Sequence, residues 1–297
     1  MNSSQSKATV AFIGLGQMGA PMARNLMRAG YTVRGHDRDV RIAAQFSDCQ
    51  DFIWCDSAAI AVQGVERLIL MLPDSRVVDA VLWHGEPALS ALMAPGALVI
   101  DMSSSDPIHS RENAQKLKMI SRGFIDAPVS GGVKKAEAGT LTIMIGGDAD
   151  LVERAQPLLQ AMGKTTTHVG DAGAGHAVKA LNNYVSAAGL LAVCEALSAA
   201  EKFGIDPHLV NQVFNASTGK NNTTENKVEA FMLNGAFNSG FSLALMKKDL
   251  ETANRFMGQV KSMREFSSQC LGIWKAADDV LDKGSDHTVM LRYIRDA

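Results

Sequence analysis

One glycine-rich segment constrains the fold of this 297-residue chain more than any other feature. It follows the apolar run Thr9–Ile13 directly and opens a helical pattern that extends from Met18 to Ala29. The segment reads Gly14-Leu15-Gly16-Gln17-Met18-Gly19. An apolar run of this length predicts a strand, and the pattern after it predicts a helix. Pro21 stands in the first helical turn, where its missing N–H costs nothing. The segment therefore predicts a strand–loop–helix unit.

The spacing G-x-G-x-x-G in this context predicts a loop that binds the pyrophosphate of a dinucleotide. The first glycine permits a tight turn, the second lets the pyrophosphate approach the backbone, and the third lets helix and strand pack closely. A glycine turn with a structural role alone is the alternative.

The acidic residue that such a unit needs at the end of its second strand is Asp37, 18 residues beyond Gly19. A carboxylate there accepts hydrogen bonds from the adenine ribose and repels a 2′-phosphate, which favours NAD. His36 and Arg38 could instead turn toward that phosphate. We therefore predict NAD as the cofactor and keep NADP as the alternative.

Apolar runs alternate with helical patterns as far as about residue 170. After the first strand, the runs are 31–33, 68–72, 97–101 and 123–126. Runs that are polar on neither side are typical of parallel strands covered on both faces. We therefore predict an α/β, doubly wound, Rossmann-type domain over residues 1–170. The runs 141–145 and 166–169 are expected to extend the same sheet.

The character of the chain changes after Gly170. An Ala- and Leu-rich stretch without proline predicts one long helix over residues 171–203, and the remainder is helical in pattern. We expect an all-α domain over residues 171–297, joined to the first domain by this long helix.

Composition and spacing exclude several functions. With 29 Lys+Arg against 31 Asp+Glu, the chain has no basic excess for a nucleic-acid partner. Four cysteines form neither a disulfide framework nor a C-x-x-C pair, which predicts reduced thiols. Seven histidines show no ligand spacing, so we expect no metal. The polar start Met1–Lys7 and the lack of an apolar run of about 18 residues predict a cytoplasmic protein without a membrane partner.

Three further segments follow predicted strands. Leu72-Pro73 and Ser103-Ser104 stand at strand carboxyl ends, where open α/β sheets bind ligands, although ordinary turns are an equal alternative. Ser130-Gly131-Gly132 offers a hydroxyl and close-set backbone N–H groups suited to a carboxylate. A flexible turn is the alternative for this third segment.

The predicted long helix carries a polar stripe in an otherwise apolar sequence. Gly175, Lys179, Asn182 and Ser186 share one face at 100° per residue, with Asn183 at its margin. Buried polar groups need partners, and a lysine whose pKa is lowered by burial can act as an acid or base near neutral pH. The alternative is that Lys179 pairs with a carboxylate where the two domains meet.

Two other residues compete for roles in the chemistry. His176, one turn before Lys179, is a rival proton carrier that could line the same cleft, and we identify no orienting partner for it nearby in sequence. Lys248 could reach the cofactor or the substrate. The alternative for Lys248 is a solvated pair with Asp249.

Taken together, these motifs resemble those of the β-hydroxyacid dehydrogenase family. The matching segments, in family order, are Phe12–Gly19, Asp126–Gly132 with Gly139–Met144, Gly173–Asn183 and Lys248–Leu250. The resemblance implies a Rossmann-type domain, a bridging helix and an all-helical C-terminal domain. It also implies a homodimer or homotetramer.

The resemblance further implies a role for each site residue. Lys179 is implied as the catalytic acid/base, with Asn183 and the Ser130-Gly131-Gly132 backbone holding the acid group of the substrate. Leu72, Pro73, Ser104 and Lys248 match positions that the family uses around the cofactor. The implied reaction is the NAD(P)-linked, reversible oxidation of a small 3-hydroxy acid to its semialdehyde. Two alternatives stay open, a non-catalytic NAD-binding sensor or scaffold and an imine reductase of the same architecture.

Overall fold

The computed structural model describes residues 8–296, so the polar start Met1–Lys7 lies outside the described residues. Within that range the strands are β1 (Thr9–Ile13), β2 (Thr32–His36), β3 (Phe52–Trp54), β4 (Arg67–Leu70), β5 (Leu98–Asp101), β6 (Gly123–Asp126), β7 (Val129–Ser130), β8 (Leu141–Gly146) and β9 (Gly163–Gly170). The α-helices are α1 (Gly19–Arg28), α2 (Ala58–Val62), α3 (Ser75–Trp83), α4 (Leu89–Leu92), α5 (Pro107–Met119), α6 (Gly132–Glu137), α7 (Ala149–Met162), α8 (Ala174–Phe203), α9 (Pro207–Ala216), α10 (Asn222–Asn226), α11 (Leu243–Gln259), α12 (Glu265–Val280) and α13 (Met290–Arg295).

The strands form one sheet whose order is β3-β2-β1-β4-β5-β6-β8-β7, with β9 paired to β8. Strands β1 to β6 are mutually parallel, and β8 runs antiparallel to β6. This is the doubly wound order of a Rossmann-type domain, so the predicted fold class is confirmed. The expectation that the two later runs extend the sheet is also confirmed, by β8 and β9.

The register of the sheet places the predicted ligand loops side by side. Ile13 pairs with His36 on one side and with Leu70 on the other, and Leu70 pairs with Asp101. The loops that follow β1, β2, β4 and β5 therefore emerge at one edge of the sheet.

Helix α1 buries one apolar face against the sheet. Met22, Ala23 and Leu26 of α1 are fully buried against the sheet, at the spacing of one helical face. The helix ends at Arg28, and Gly30 follows with φ 94°. A positive φ is costly for residues with a Cβ, so a glycine is suited to this helix end.

The described chain divides into two compact units, one that ends at Lys179 and one that begins at Ala180. The division lies inside α8, nine residues beyond the predicted boundary between residues 170 and 171. In the first unit, two apolar clusters cover the two faces of the sheet; Val10 and Phe12 belong to one cluster and Ala11 and Ile13 to the other. This is the alternation that a strand buried on both faces requires.

The second unit is helical, apart from an isolated β-bridge between Ser242 and Asp286 in its described residues. Its core packs Leu190, Cys194 and Leu197 of α8 around Trp274. Helix α8 is long and apolar enough, by length and composition alone, to cross a membrane, but several of its apolar side chains belong to the core of the second unit.

All four cysteines are free thiols in the structure; Cys55, Cys194 and Cys270 are buried and Cys49 is half-buried. Burial raises the pKa of the Cys194 thiol to about 12 and that of the Cys270 thiol to about 11. Both thiols are therefore protonated at neutral pH and poorly nucleophilic.

Candidate active site

The three glycines of the loop after β1 have different surroundings. Gly14 has φ 94°, and a Cβ built on it would overlap the carbonyl oxygen of Met71. A Cβ on Gly19 would overlap the Gly14 carbonyl and lie 3.2 Å from the ring of Phe12. A Cβ on Gly16 would meet no heavy atom within 4 Å. The first and third glycines are therefore required by packing within the protein, whereas the second faces open space.

Asp37 is held against this loop by backbone N–H groups. The amide of Leu15 donates to Asp37 Oδ2 at 2.7 Å, and the amide of Asp39 donates to Oδ1 at 2.9 Å. The carboxylate is half-buried and Arg38 beside it is exposed. Each carboxylate oxygen keeps a further lone pair, so the anchored group can still accept a hydrogen bond from a ligand hydroxyl.

The loops after β4 and β5 are bonded to each other. The amide of Leu72 donates to the hydroxyl of Ser103 at 2.9 Å, and Ser103 is itself buried. The amide of Ser103 donates in turn to Asp101 Oδ1 at 3.0 Å. Pro73 is exposed and Ser104 is half-buried, so both predicted contact residues flank a rigid, hydrogen-bonded junction.

The Ser130-Gly131-Gly132 segment is a defined junction between a strand and a helix. Ser130 pairs with Thr142 as part of β7, and Gly131, at φ 139°, precedes α6. Ser130 is half-buried and both glycines are exposed. The pairing of β7 with β8 therefore fixes Ser130, and the two glycines follow it at the start of α6.

The beginning of α8 is fixed by a buried carboxylate. Asp126, 0% exposed, accepts from the amides of Gly173 (2.6 Å, to Oδ1) and His176 (2.8 Å, to Oδ2). Gly175 lies so close to this strand that a Cβ would come within 2.9 Å of the Asp126 carbonyl oxygen. Backbone N–H groups at a helix start need acceptors, and a carboxylate there also suits the helix dipole. Lys179 follows one turn later and is half-buried.

The structure corrects the prediction for His176. Its side chain is 1% exposed, and it bonds to the hydroxyl of Ser110 through Nδ1 (2.7 Å) and to the carbonyl of Ser103 through Nε2 (3.0 Å). His176 is therefore buried and does not line a cleft, and two residues distant in sequence orient its ring. The partners lie 66 and 73 residues away in sequence, beyond the reach of a motif.

The second unit holds a buried polar pair that includes one predicted site residue. The Asn183 amide donates to Asp249 Oδ2 at 2.5 Å, and Asp249 is only 8% exposed. The alternative of a solvated Lys248–Asp249 pair is therefore wrong, because Asp249 is buried. Lys248 itself is half-buried. Asp249 is the residue that motif reading missed, although it stands next to Lys248 in the quoted segment.

The polar stripe of α8 also needs a correction. Asn182 is exposed, whereas Asn183, placed at the margin of the stripe, is buried. The Asn182 amide donates to Asn183 Oδ1 at 3.1 Å. Because Asp249 and Asn182 contact its two ends, the Asn183 amide has a fixed orientation.

Comparisons with known proteins identify the family of this chain. The family model described as the NAD binding domain of 6-phosphogluconate dehydrogenase matches residues 9–170. The model described as NAD-binding of NADP-dependent 3-hydroxyisobutyrate dehydrogenase matches residues 173–294. Among curated relatives, the 2-(hydroxymethyl)glutarate dehydrogenase of Eubacterium barkeri is 38% identical, over 82% of this chain and 80% of that protein.

The chain belongs to the β-hydroxyacid dehydrogenase family. The NAD-dependent L-serine dehydrogenase of Pseudomonas aeruginosa is another relative, 36% identical over 90% of this chain and 91% of that protein. The solved structure of Mycobacterium tuberculosis 3-hydroxyisobutyrate dehydrogenase with L-serine has a TM-score of 0.90 at 33% identity, and the match covers 98% of this chain and 100% of that one.

Membership in this family makes the chain an NAD(P)-dependent oxidoreductase. It favours the dehydrogenase over the two alternatives, the non-catalytic sensor and the imine reductase. The roles of the individual side chains in this dehydrogenase stay predictions.

Proposed function

We propose that the chain catalyses the reversible, NAD-linked oxidation of a small 3-hydroxy acid to its semialdehyde, with Lys179 as the acid/base. The observation that carries the assignment is the placement of Lys179, half-buried one turn after the Asp126-bonded start of α8. A base must be held in one place relative to the hydroxyl that it serves, and a rigid helix start supplies that.

The residues around the loop after β1 suit a dinucleotide. The space at Gly16 admits a pyrophosphate against the backbone, and Asp37 accepts from the ribose hydroxyls. Leu15, Gln17 and Met18 contribute the rest of this loop, which leads into the positive end of α1. NAD, when bound, supplies the hydride acceptor.

The protein's own part of the reaction is proton transfer and substrate orientation. In oxidation, Lys179 as the neutral amine takes the hydroxyl proton while the C–H bond of the same carbon gives up its hydride and the C=O bond forms. In reduction, Lys179 as the ammonium returns that proton to the oxygen. Asn183, oriented by Asp249, and the Ser130-Gly131-Gly132 backbone are proposed to hold the substrate carboxylate.

The cofactor pocket completes the assignment. Leu72, Pro73 and Ser104, on the bonded loops after β4 and β5, together with Lys248, are proposed to contact the cofactor. We propose NAD over NADP because both Asp37 oxygens are anchored by backbone donors, which keeps the negative charge at the ribose site. Measured with both cofactors, kcat/KM should be higher for NAD. A clear preference for NADP would show that Arg38 and His36 control that site instead.

We propose a substrate of the form HOCH2–CH(R)–CO2−. The names of the relatives support this class, since 3-hydroxyisobutyrate, L-serine and 2-(hydroxymethyl)glutarate all contain that group. The test is a coupled assay of these three acids, with glycolate as a control that lacks the 3-hydroxyl. Turnover of at least one of the three and none of glycolate supports the proposal. Dinucleotide binding without turnover of any 3-hydroxy acid would favour the sensor instead.

We also propose a role for each of the two predicted domains. Residues 1–170 are proposed to bind the dinucleotide, and residues 171–297 to serve substrate binding and subunit contacts. We further propose a cytoplasmic homodimer or homotetramer.

A further inference from the structure

His176 is buried in a set of contacts that the proposed chemistry does not use. Its Nε2 lies 3.0 Å from the carbonyl oxygen of Ser103, and its Nδ1 lies 2.7 Å from the hydroxyl of Ser110. A carbonyl oxygen only accepts, so Nε2 must carry a proton and donate it to Ser103. The ring is therefore fixed in one orientation by two different elements.

One of these contacts leads to the predicted cofactor loops. Ser103, whose carbonyl accepts from His176, also accepts from the Leu72 amide through its hydroxyl at 2.9 Å. Its own amide is bonded to Asp101 at the end of β5. A single buried serine thus joins the loop after β4, the end of β5 and the imidazole of His176.

The backbone of His176 is held independently. Its amide donates to Asp126, which also accepts from Gly173, and the Nδ1 atom lies 3.6 Å from Asp126 Oδ2. The carboxylate therefore holds the backbone at the helix start, and the imidazole adds a separate contact to the Ser103 carbonyl. Lys179 follows His176 by three residues, less than one turn of a helix, so a rotation or shift of this turn moves both residues together.

We propose that His176 is a positioning residue, which fixes the turn of α8 that carries Lys179 relative to the cofactor loop of Leu72 and Ser103-Ser104. This inference rests on the proposed function of Lys179. The contact that matters is the one from Nε2 to the Ser103 carbonyl, because it connects the helix to the loop. The Ser110 contact holds the plane of the ring.

A pair of amide variants separates the two contacts. In His176→Gln the side-chain amide nitrogen reaches about as far as Nε2 and can still donate to Ser103. In His176→Asn the shorter amide reaches only as far as Nδ1, so it keeps Ser110 and loses Ser103. A displacement of about 1 Å at a catalytic group can cost about 10²-fold in rate, so we expect kcat to fall by about 10–100-fold in His176→Asn and by less than about 3-fold in His176→Gln. The dissociation constant for NADH should stay within about 3-fold in both variants.

General destabilisation is controlled by Leu82→Ala, which removes a fully buried side chain in the first unit. This variant should lower Tm by at least as much as His176→Asn and leave kcat within about 2-fold. If kcat fell no more in His176→Asn than in Leu82→Ala, the inference would be overturned. Equal losses of kcat in His176→Asn and His176→Gln would also overturn it.

A double-mutant cycle shows whether His176 acts through Lys179. In a Lys179→Ala background, His176→Asn should lower the residual kcat by less than about 3-fold, because the group that it positions is already absent. An undiminished loss in that background would overturn the inference while leaving the role of Lys179 intact. Full turnover by Lys179→Ala alone would instead refute the proposed function, and the inference with it.

Discussion

The loop after β1 gives each glycine a separate physical reason to be there. Gly19 is required because any Cβ would overlap the Gly14 carbonyl, whereas Gly16 stands in open space. A requirement for glycine at a position with room for a side chain points to something outside the folded chain, and the pyrophosphate of a dinucleotide is the proposed occupant.

The contrast between the two glycines predicts opposite outcomes for the same substitution. Gly16→Val should keep Tm within a few degrees of the parent and lose detectable NADH binding, measured by fluorescence titration. Gly19→Val should lose the folded state, because its Cβ would overlap the Gly14 carbonyl, and a backbone carbonyl cannot move aside as a flexible side chain can. Near-normal NADH affinity in Gly16→Val would show that this loop is not the binding site.

His176 shows why residue roles are harder to predict than motifs. The sequence identifies it correctly as a polar residue one turn from Lys179. Its burial and its bonds to Ser103 and Ser110 depend on how the β5 loop and α5 fold back onto α8. The same limitation applies to Asp249, whose partner Asn183 lies 66 residues away. Local pattern places a residue on a face, and only the tertiary fold says what covers that face.

Among the elements, the ones with strong local signals were predictable. Strands β1 and β6 have the predicted bounds, and α8 begins three residues later than expected because Asp126 bonds the Gly173 amide just before it. Strands β3 and β7 were missed. Strand β3 has three residues and pairs with β2, and β7 has two residues and pairs with β8. Strands this short are too brief to show a periodic pattern in the sequence.

The segment that precedes α13 depends on one buried acid. Asp286 accepts from the hydroxyl of Ser239 at 2.9 Å and from both the amide and the hydroxyl of Thr288. Burial alone raises the pKa of Asp286, but hydrogen bonds from His287, Thr288 and Ser239 outweigh burial and hold the pKa well below its usual value. The ionised carboxylate therefore stabilises this segment.

The pKa of Asp286 is lower in the folded protein than in the unfolded chain, where it is about 3.9. The carboxylate therefore stabilises the folded state fully above about pH 3.9, and this stabilisation is lost as the pH falls toward the folded-state pKa. Asp286→Asn should lower the free energy of unfolding at pH 7 by about 1–3 kcal/mol, measured in urea. The difference from the parent should narrow below about pH 4. Asp282→Asn, at an exposed position nearby, is the matched control, with a change within about 0.5 kcal/mol. A difference between parent and Asp286→Asn that stayed constant down to pH 2 would contradict this account.

At the scale of the whole molecule, exposed apolar side chains on the second unit are candidates for the subunit contact of the proposed homo-oligomer. Leu209 and Val213, four residues apart on one face of α9, are 55% and 60% exposed, and Val185 of α8 is 68% exposed. Apolar side chains at these positions are typical of a surface that another subunit covers.

The predicted homo-oligomer can be tested directly. Light scattering after size-exclusion chromatography should give a mass two or four times 31.7 kDa. Leu209→Asp with Val213→Asp should shift the protein toward the monomer, because two charges would have to be buried at the contact. Lys202→Asp, on an exposed residue of α8, controls for the added negative charge and should leave the mass unchanged. A monomeric parent at micromolar concentration would contradict the proposed homo-oligomer.

The proposed role of Lys179 in proton transfer is tested most directly by kcat. The variants are Lys179→Ala and Lys179→Arg, and Lys283→Ala is the control at an exposed site. Loss of a positioned acid/base costs about 10²–10⁴-fold, so Lys179→Ala should fall by at least that order while its NADH dissociation constant changes little. Lys179→Arg should fail almost as badly, since a guanidinium stays protonated and cannot accept the hydroxyl proton. Lys283→Ala should keep the parent rate. A Lys179→Ala enzyme with kcat within 10-fold of the parent would contradict the claim.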